Sequence, residues 1–159
     1  MQISISINDP KVQKFLNEFQ NETPRAAAIL GWAYLDDLLN ELLKSRLIED
    51  KRFFKNDINR LNSERRINLC YLTGVINKQE RDDLQRIKKI RGQFAHKISL
   101  KSFTRNDIST ECDKLKIIKF IQDKDSFINK PRDKYTFSVA FYITVLKDKL
   151  KHCRRIETF

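Results

Sequence analysis

The chain's 159 residues are 33% charged and 40% hydrophobic with three Gly and three Pro, a make-up that fits one domain over residues 1–159, mostly helical, and excludes a disordered or loop-rich chain. Its net charge of +11 is uneven: residues 1–80 hold 12 Lys/Arg against 11 Asp/Glu, whereas residues 81–159 hold 20 against 10, net +10. A half so basic favours polyanions, of which nucleic acid is the commonest in a cytosol, and an acidic protein partner satisfies the same electrostatics.

Ile3, Ile5 and Ile7 alternate with polar residues, the pattern of a short strand or an extended arm. Asp9-Pro10 reads as N-cap and first residue of a helix whose Val12, Phe15, Leu16 and Phe19 share a face, ended by Asn21. Thr23-Pro24 repeats the start signal, and the pattern that follows, to about Arg46, predicts the central, most buried helix. Ile29, Trp32, Asp36, Leu39 and Leu43 share a stripe on it, so Asp36 is a charge on an apolar face. Leu47–Asn62 is polar and predicts a connection with at most a short helix, anchored by Phe53 and Phe54.

Ser63-Glu64 opens a helix through Leu72, with Gly74 just past its end. Asn77-Lys78-Gln79-Glu80 has the spacing of a capping box and opens a helix to Ile98, antiparallel to the one before it. On that helix Leu84, Ile87, Arg91, Phe94 and Ile98 keep the spacing of one buried face, so Arg91 stands where Leu or Ile is expected. Ser99–Asn106 breaks the pattern, and Ile108, Cys112, Leu115, Ile118 and Ile121 resume it as a further helix. After a charged loop over Gln122–Lys134, the last segment alternates like a strand from Phe137 to Val145, yet Val139, Tyr142, Leu146 and Leu150 keep helical spacing; its length favours helix. Lys147, Lys151 and Arg154 form a basic stripe there. The expected architecture is an all-α, single-domain bundle of about five to seven helices.

Cys70, Cys112 and Cys153 stand far apart with no CxxC and only His96 and His152 beside them, so no metal site and no cofactor is expected, and the thiols should be reduced. No stretch approaches the roughly 20 apolar residues that cross a bilayer, and the N-terminal residues lack the form of a signal peptide, so a cytoplasmic protein without a membrane partner is expected.

A buried charge survives when paired, and Asp36 and Arg91 are the natural candidates to meet. His96 follows Arg91 in Arg91-Gly92-Gln93-Phe94-Ala95-His96 and, as a residue near a helix C-terminus, also interacts favourably with the helix dipole. Together with Arg25-Ala26-Ala27-Ala28-Ile29-Leu30 and Tyr34-Leu35-Asp36-Asp37-Leu38-Leu39, this stretch resembles the mannitol-repressor family of bacterial regulators over about residues 24 to 150. That resemblance implies an all-helical protein of transcriptional repression. The Arg-x-x-x-x-His piece also resembles the signature of the HEPN superfamily, helical dimers of toxin–antitoxin and phage-defence systems, many of them metal-independent ribonucleases. Gly92 departs from both patterns, which usually have Asn, Asp or His directly after the arginine.

Cleaving RNA without metal needs a base for the ribose 2′-OH, a cation for the phosphorane charge and an acid for the leaving oxygen. Arg91 and His96 supply the cation and the base, with Asp36 and Gln93 as orienting residues and Lys97, Lys147, Lys151, Arg154 and Arg155 as nucleic-acid contacts. Five residues of straight helix turn about 500°, so Arg91 and His96 diverge by about 140° unless the helix bends near Gly92. One chain also holds a single suitable histidine, and an isologous dimer supplies the second. The leading expectation is therefore a homodimeric, HEPN-type endoribonuclease acting on RNA as a toxin or defence effector, with an antitoxin as a further partner. The alternative is a mannitol-repressor-like regulator without catalysis that binds a regulatory protein or nucleic acid. A HEPN-like scaffold for a partner enzyme is the third.

Overall fold

Thr23, Asn62 and Asn77 each stop the chain from fraying by accepting a backbone N–H of the helix they precede. A computed structural model describes residues 10–120 and 128–157, so the Ile3–Ile7 arm, the Asp9 cap and Ile121 lie outside the described residues. Seven α-helices follow in order: α1 (Pro10–Gln20), α2 (Pro24–Arg46), α3 (Lys51–Asn56), α4 (Ser63–Leu72), α5 (Lys78–His96), α6 (Asn106–Asp113) and α7 (Pro131–His152). Short 3-10 turns occupy Ile58–Arg60 and Lys116–Phe120, and no strand occurs among the described residues. The protein is an all-α bundle.

The capping box of α5 forms as its spacing predicts: Glu80 N donates to Asn77 Oδ1 at 2.9 Å and Asn77 N to Glu80 Oε2 at 2.7 Å. Gly74, at φ +73°, takes the left-handed turn after α4 that an L side chain resists. α2 is the central helix, packed against α7, α5 and α4, with Leu35, Leu39, Leu42 and Leu43 fully buried. α2 and α7 approach so closely at Gly31 that a Cβ there would lie 3.0 Å from Val139 Cγ1. From Tyr135 to Leu146, α7 is buried at every position except Phe141. A helix apolar on all sides has no stripe, which is why its sequence reads equally as alternation.

Three expectations are corrected by tertiary contacts. Phe53 is 58% exposed and anchors nothing in the core. The helix expected from Ile108 to Ile121 stops at Asp113 and restarts as a 3-10 turn. Asp83 causes the break: its fully buried carboxylate accepts from Lys116 N at 2.8 Å, Ile117 N at 3.0 Å and Tyr142 Oη at 2.7 Å. Amide groups drawn to that carboxylate cannot continue the helical ladder. Ile98, finally, lies past the end of α5 and is 89% exposed, outside the buried face to which its spacing assigned it.

Candidate functional site at the C-terminal end of α5

α5 buries Leu84, Ile87, Ile90 and Phe94, and runs without interruption through Gly92 to His96. Its C-terminal end is held by a residue whose part the sequence reading missed. The Arg25 guanidinium, from the first turn of α2, donates to the carbonyl of Phe94 and to those of Lys97 at 2.9 Å, Ile98 at 3.0 Å and Leu100 at 3.4 Å. One planar cation thus satisfies the carbonyls that a helix end leaves open. A signal existed: a cation in the first turn opposes the helix dipole, so Arg25 at the start of α2 called for a partner outside its own helix.

Arg91 is half-buried, and its Nε is sealed from solvent without a hydrogen-bond partner. Among the described residues it makes no ion pair. The expected pairing with Asp36 does not occur. Asp36 instead binds Arg66 of α4, Nη1 to Oδ2 at 2.6 Å, and Arg66, only 7% exposed, also donates to Leu61 O at 2.9 Å. Axial register explains the mismatch. Arg25 fixes the last turn of α5 beside the first turn of α2, and Asp36 lies eleven residues further along, about 16 Å at 1.5 Å per residue. Asp36 therefore does not orient Arg91. The charge of Arg91 reaches the phenol of Tyr135, which burial pushes far above its ordinary value and Arg91 pulls back slightly.

His96 is exposed at the last position of α5, on the side opposite the buried face. On this unbroken helix Arg91 lies at the flank of the buried face and His96 on the solvent side. α5 continues as helix through Gly92, and a Cβ built on it meets nothing within 4 Å, so the outer face of α5 is open at that point. Gln93 keeps its Oε1 buried without a hydrogen-bond partner among the described residues.

Of the cations expected to meet nucleic acid, Lys97 stands at the end of α5, whereas Lys147, Lys151, Arg154 and Arg155 cluster along and just past the last two turns of α7. Lys97 pairs with Asp107 at 3.1 Å and holds that carboxyl below its ordinary range. Lys147 lies over the rings of Phe15 at 4.7 Å and Tyr34 at 5.8 Å, on the α1–α2 surface. Arg155 pairs with Glu49 at 2.5 Å. Lys151 and Arg154 are exposed, and Arg154, beyond the end of α7, leaves the stripe it was expected to share. A depression of about 350 Å³ lies elsewhere, between the ends of α2 and α7 and the α4–α5 turn, with no residue of the Arg91–His96 stretch in its lining. Among the described residues, no group of three His, Cys, Asp or Glu is placed to hold a metal ion, and no helix is long and apolar enough to cross a membrane.

No family model matches the chain, and neither does a curated protein. A solved structure does: a chain in the X-ray structure of the MtlR–HPr complex from Escherichia coli is similar with a TM-score of 0.63 and 19% identity, over 87% of this chain and 99% of that one. The likeness is one of fold alone.

Proposed function

We propose that this protein is a regulator of the mannitol-repressor type, which acts by binding a protein partner and performs no catalysis of its own. The observation that carries the reading is the unbroken course of α5 through Gly92, which turns Arg91 toward the core flank and His96 toward solvent. A base and a cation that diverge by about 140° cannot serve one phosphate from a single chain. The same straight helix presents an outward face with His96, the open space at Gly92 and, just beyond, the exposed Ile98, an arrangement suited to contact with another protein. The fold is shared with a chain solved in complex with HPr, and an HPr-like protein is the partner to test first.

Isothermal titration of the purified chain with HPr from the same cell is expected to give saturable binding, and Gly92→Trp to weaken it without lowering the Tm. Incubation with structured RNA in EDTA is expected to leave the RNA intact. RNA cleavage that persists in EDTA and disappears in a folded His96→Ala variant would overturn the reading in favour of an enzyme.

One observation supports that second reading, a HEPN-type ribonuclease. Among the described residues Arg91 has no carboxylate partner that would consume its charge. Catalysis would then require a homodimer in which a second copy of the motif supplies the missing histidine. Sedimentation equilibrium with and without RNA tests that requirement directly, since a monomer under both conditions has no composite site.

A further inference from the structure

The C-terminal ends of α2 and α7 and the turn Thr73–Asn77 enclose the depression of about 350 Å³. Arg46, Lys149, His152 and Arg154 line it, Leu42 and Val75 add apolar surface, and among the described residues no carboxylate is part of the lining. It lies at the N-terminal end of α5, where Lys149 reaches Glu80, about 24 Å along the helix from His96. It is therefore separate from the face discussed above.

Helix C-termini attract cations, and α2, α4 and α7 all end near this point, so some of the positive charge serves the fold. The hydrogen bonds divide that share from the rest. Lys149 donates to Val75 O at 3.1 Å and to Glu80 Oε2 at 2.8 Å, so its charge is balanced. Arg46 spends Nε on Thr73 O at 3.2 Å and Nη1 on Arg154 O at 2.9 Å, both neutral acceptors, and has no carboxylate partner among the described residues. Arg154 contributes only its carbonyl to the fold; its guanidinium is exposed and takes no ion pair among the described residues. His152 directs Nδ1 at Asp148 O, 2.9 Å away, with the Asp148 carboxylate 3.8 Å from the same nitrogen, which leaves Nε2 available. Among the described residues two guanidinium charges are thus uncompensated, beside an imidazole and the apolar side chains of Leu42 and Val75 that share the lining.

We propose that this depression binds a small organic ligand through a phosphate monoester. A dianion balances the two arginines, and guanidinium donors match the geometry of phosphate oxygens in pairs. The volume is at the lower end of small-molecule sites and accommodates a body of sugar size beside the phosphate.

His152 is the reporter. Its ring signals are followed by long-range 1H–15N NMR at pH 7 and fixed ionic strength while inorganic phosphate, a hexose 6-phosphate or dimethyl phosphate is added. The expected result is a saturable shift of His152, and none of His96, with phosphate and more tightly with the hexose phosphate, but not with the monoanionic diester or with NaCl. Arg154→Ala, which leaves the carbonyl bonded to Arg46 in place, should keep the Tm and weaken binding about tenfold, the loss of one charged contact. The proposal is overturned if His152 shifts no differently with phosphate than with NaCl, or if Arg154→Ala binds as tightly as the parent. Binding of inorganic phosphate with exclusion of the ester overturns the assignment to an organic ligand.

Discussion

Gly92 stands in mid-helix without a positive φ and without a neighbour that a Cβ would strike. Nothing within the chain requires glycine there, and glycine in a helix interior is worse than alanine by about 1 kcal/mol. Gly92→Ala is accordingly expected to raise the Tm by about 2–4 °C in a thermal melt, and a lower Tm would mean that α5 is not a regular helix at this point. Asp83 is the opposite case. Its carboxylate holds two amides and a phenol in the core, so Asp83→Asn, which turns an N–H₂ toward donors, should lower stability by about 2–4 kcal/mol in urea titrations. In sequence Asp83 is indistinguishable from Asp82 beside it, because both are short acids on one polar turn. The partners that separate them come from residues 116, 117 and 142, and no local pattern announces such distant donors.

Among the elements, the signals that were legible are those written within a few residues. Thr23-Pro24, the Asn77–Glu80 box and Gly74 each carry their own chemistry, and each marks a boundary in the structure. The end of α6 was illegible because Asp83, on another helix, decides it. Among the described residues, Arg25 is the one charged group at the joint of α2 and α5 that reaches the Phe94–Leu100 carbonyls. Arg25→Ala should lower stability by about 1–3 kcal/mol and speed amide hydrogen exchange over residues 94–100 while α4 keeps its protection. Arg25→Lys should restore only part of it, since an ammonium cannot span carbonyls arranged for a planar fork.

At the scale of the molecule, the net +10 of residues 81–159 is held together by a few carboxylates. Lys116 and then Arg81 hold the Asp82 carboxyl below its ordinary range, and Lys97 does the same for Asp107. Burial pushes Glu111 up, but Lys89 and Lys114 outweigh it and the net shift is downward. A carboxyl depressed in the folded state adds stability that is present above its unfolded pKa, about 4, and is lost as pH falls through the folded value. The Tm should therefore fall as pH is lowered from about 5 to 3. At pH 3, where the cations repel one another without these counter-charges, added NaCl should raise the Tm more than it does at pH 7. Loss of that salt difference in Asp82→Asn combined with Asp107→Asn would tie it to these pairs. The charge imbalance itself was plain in the sequence. The pairing of Asp36 was not, because a helical stripe records angle and not height, and Arg66 lies at its level while Arg91 does not.

α5 is secured from within the chain at both ends, by Asn77 with Glu80 at one and by Arg25 at the other. Its outward residues, Gly92 and His96 among them, share none of those bonds. Descendants of this chain are free to rewrite that face one substitution at a time without risking the fold, so divergence of partner within such a lineage should accumulate at outward positions such as Gly92 and His96 while Arg25 and the buried Phe94 stay fixed.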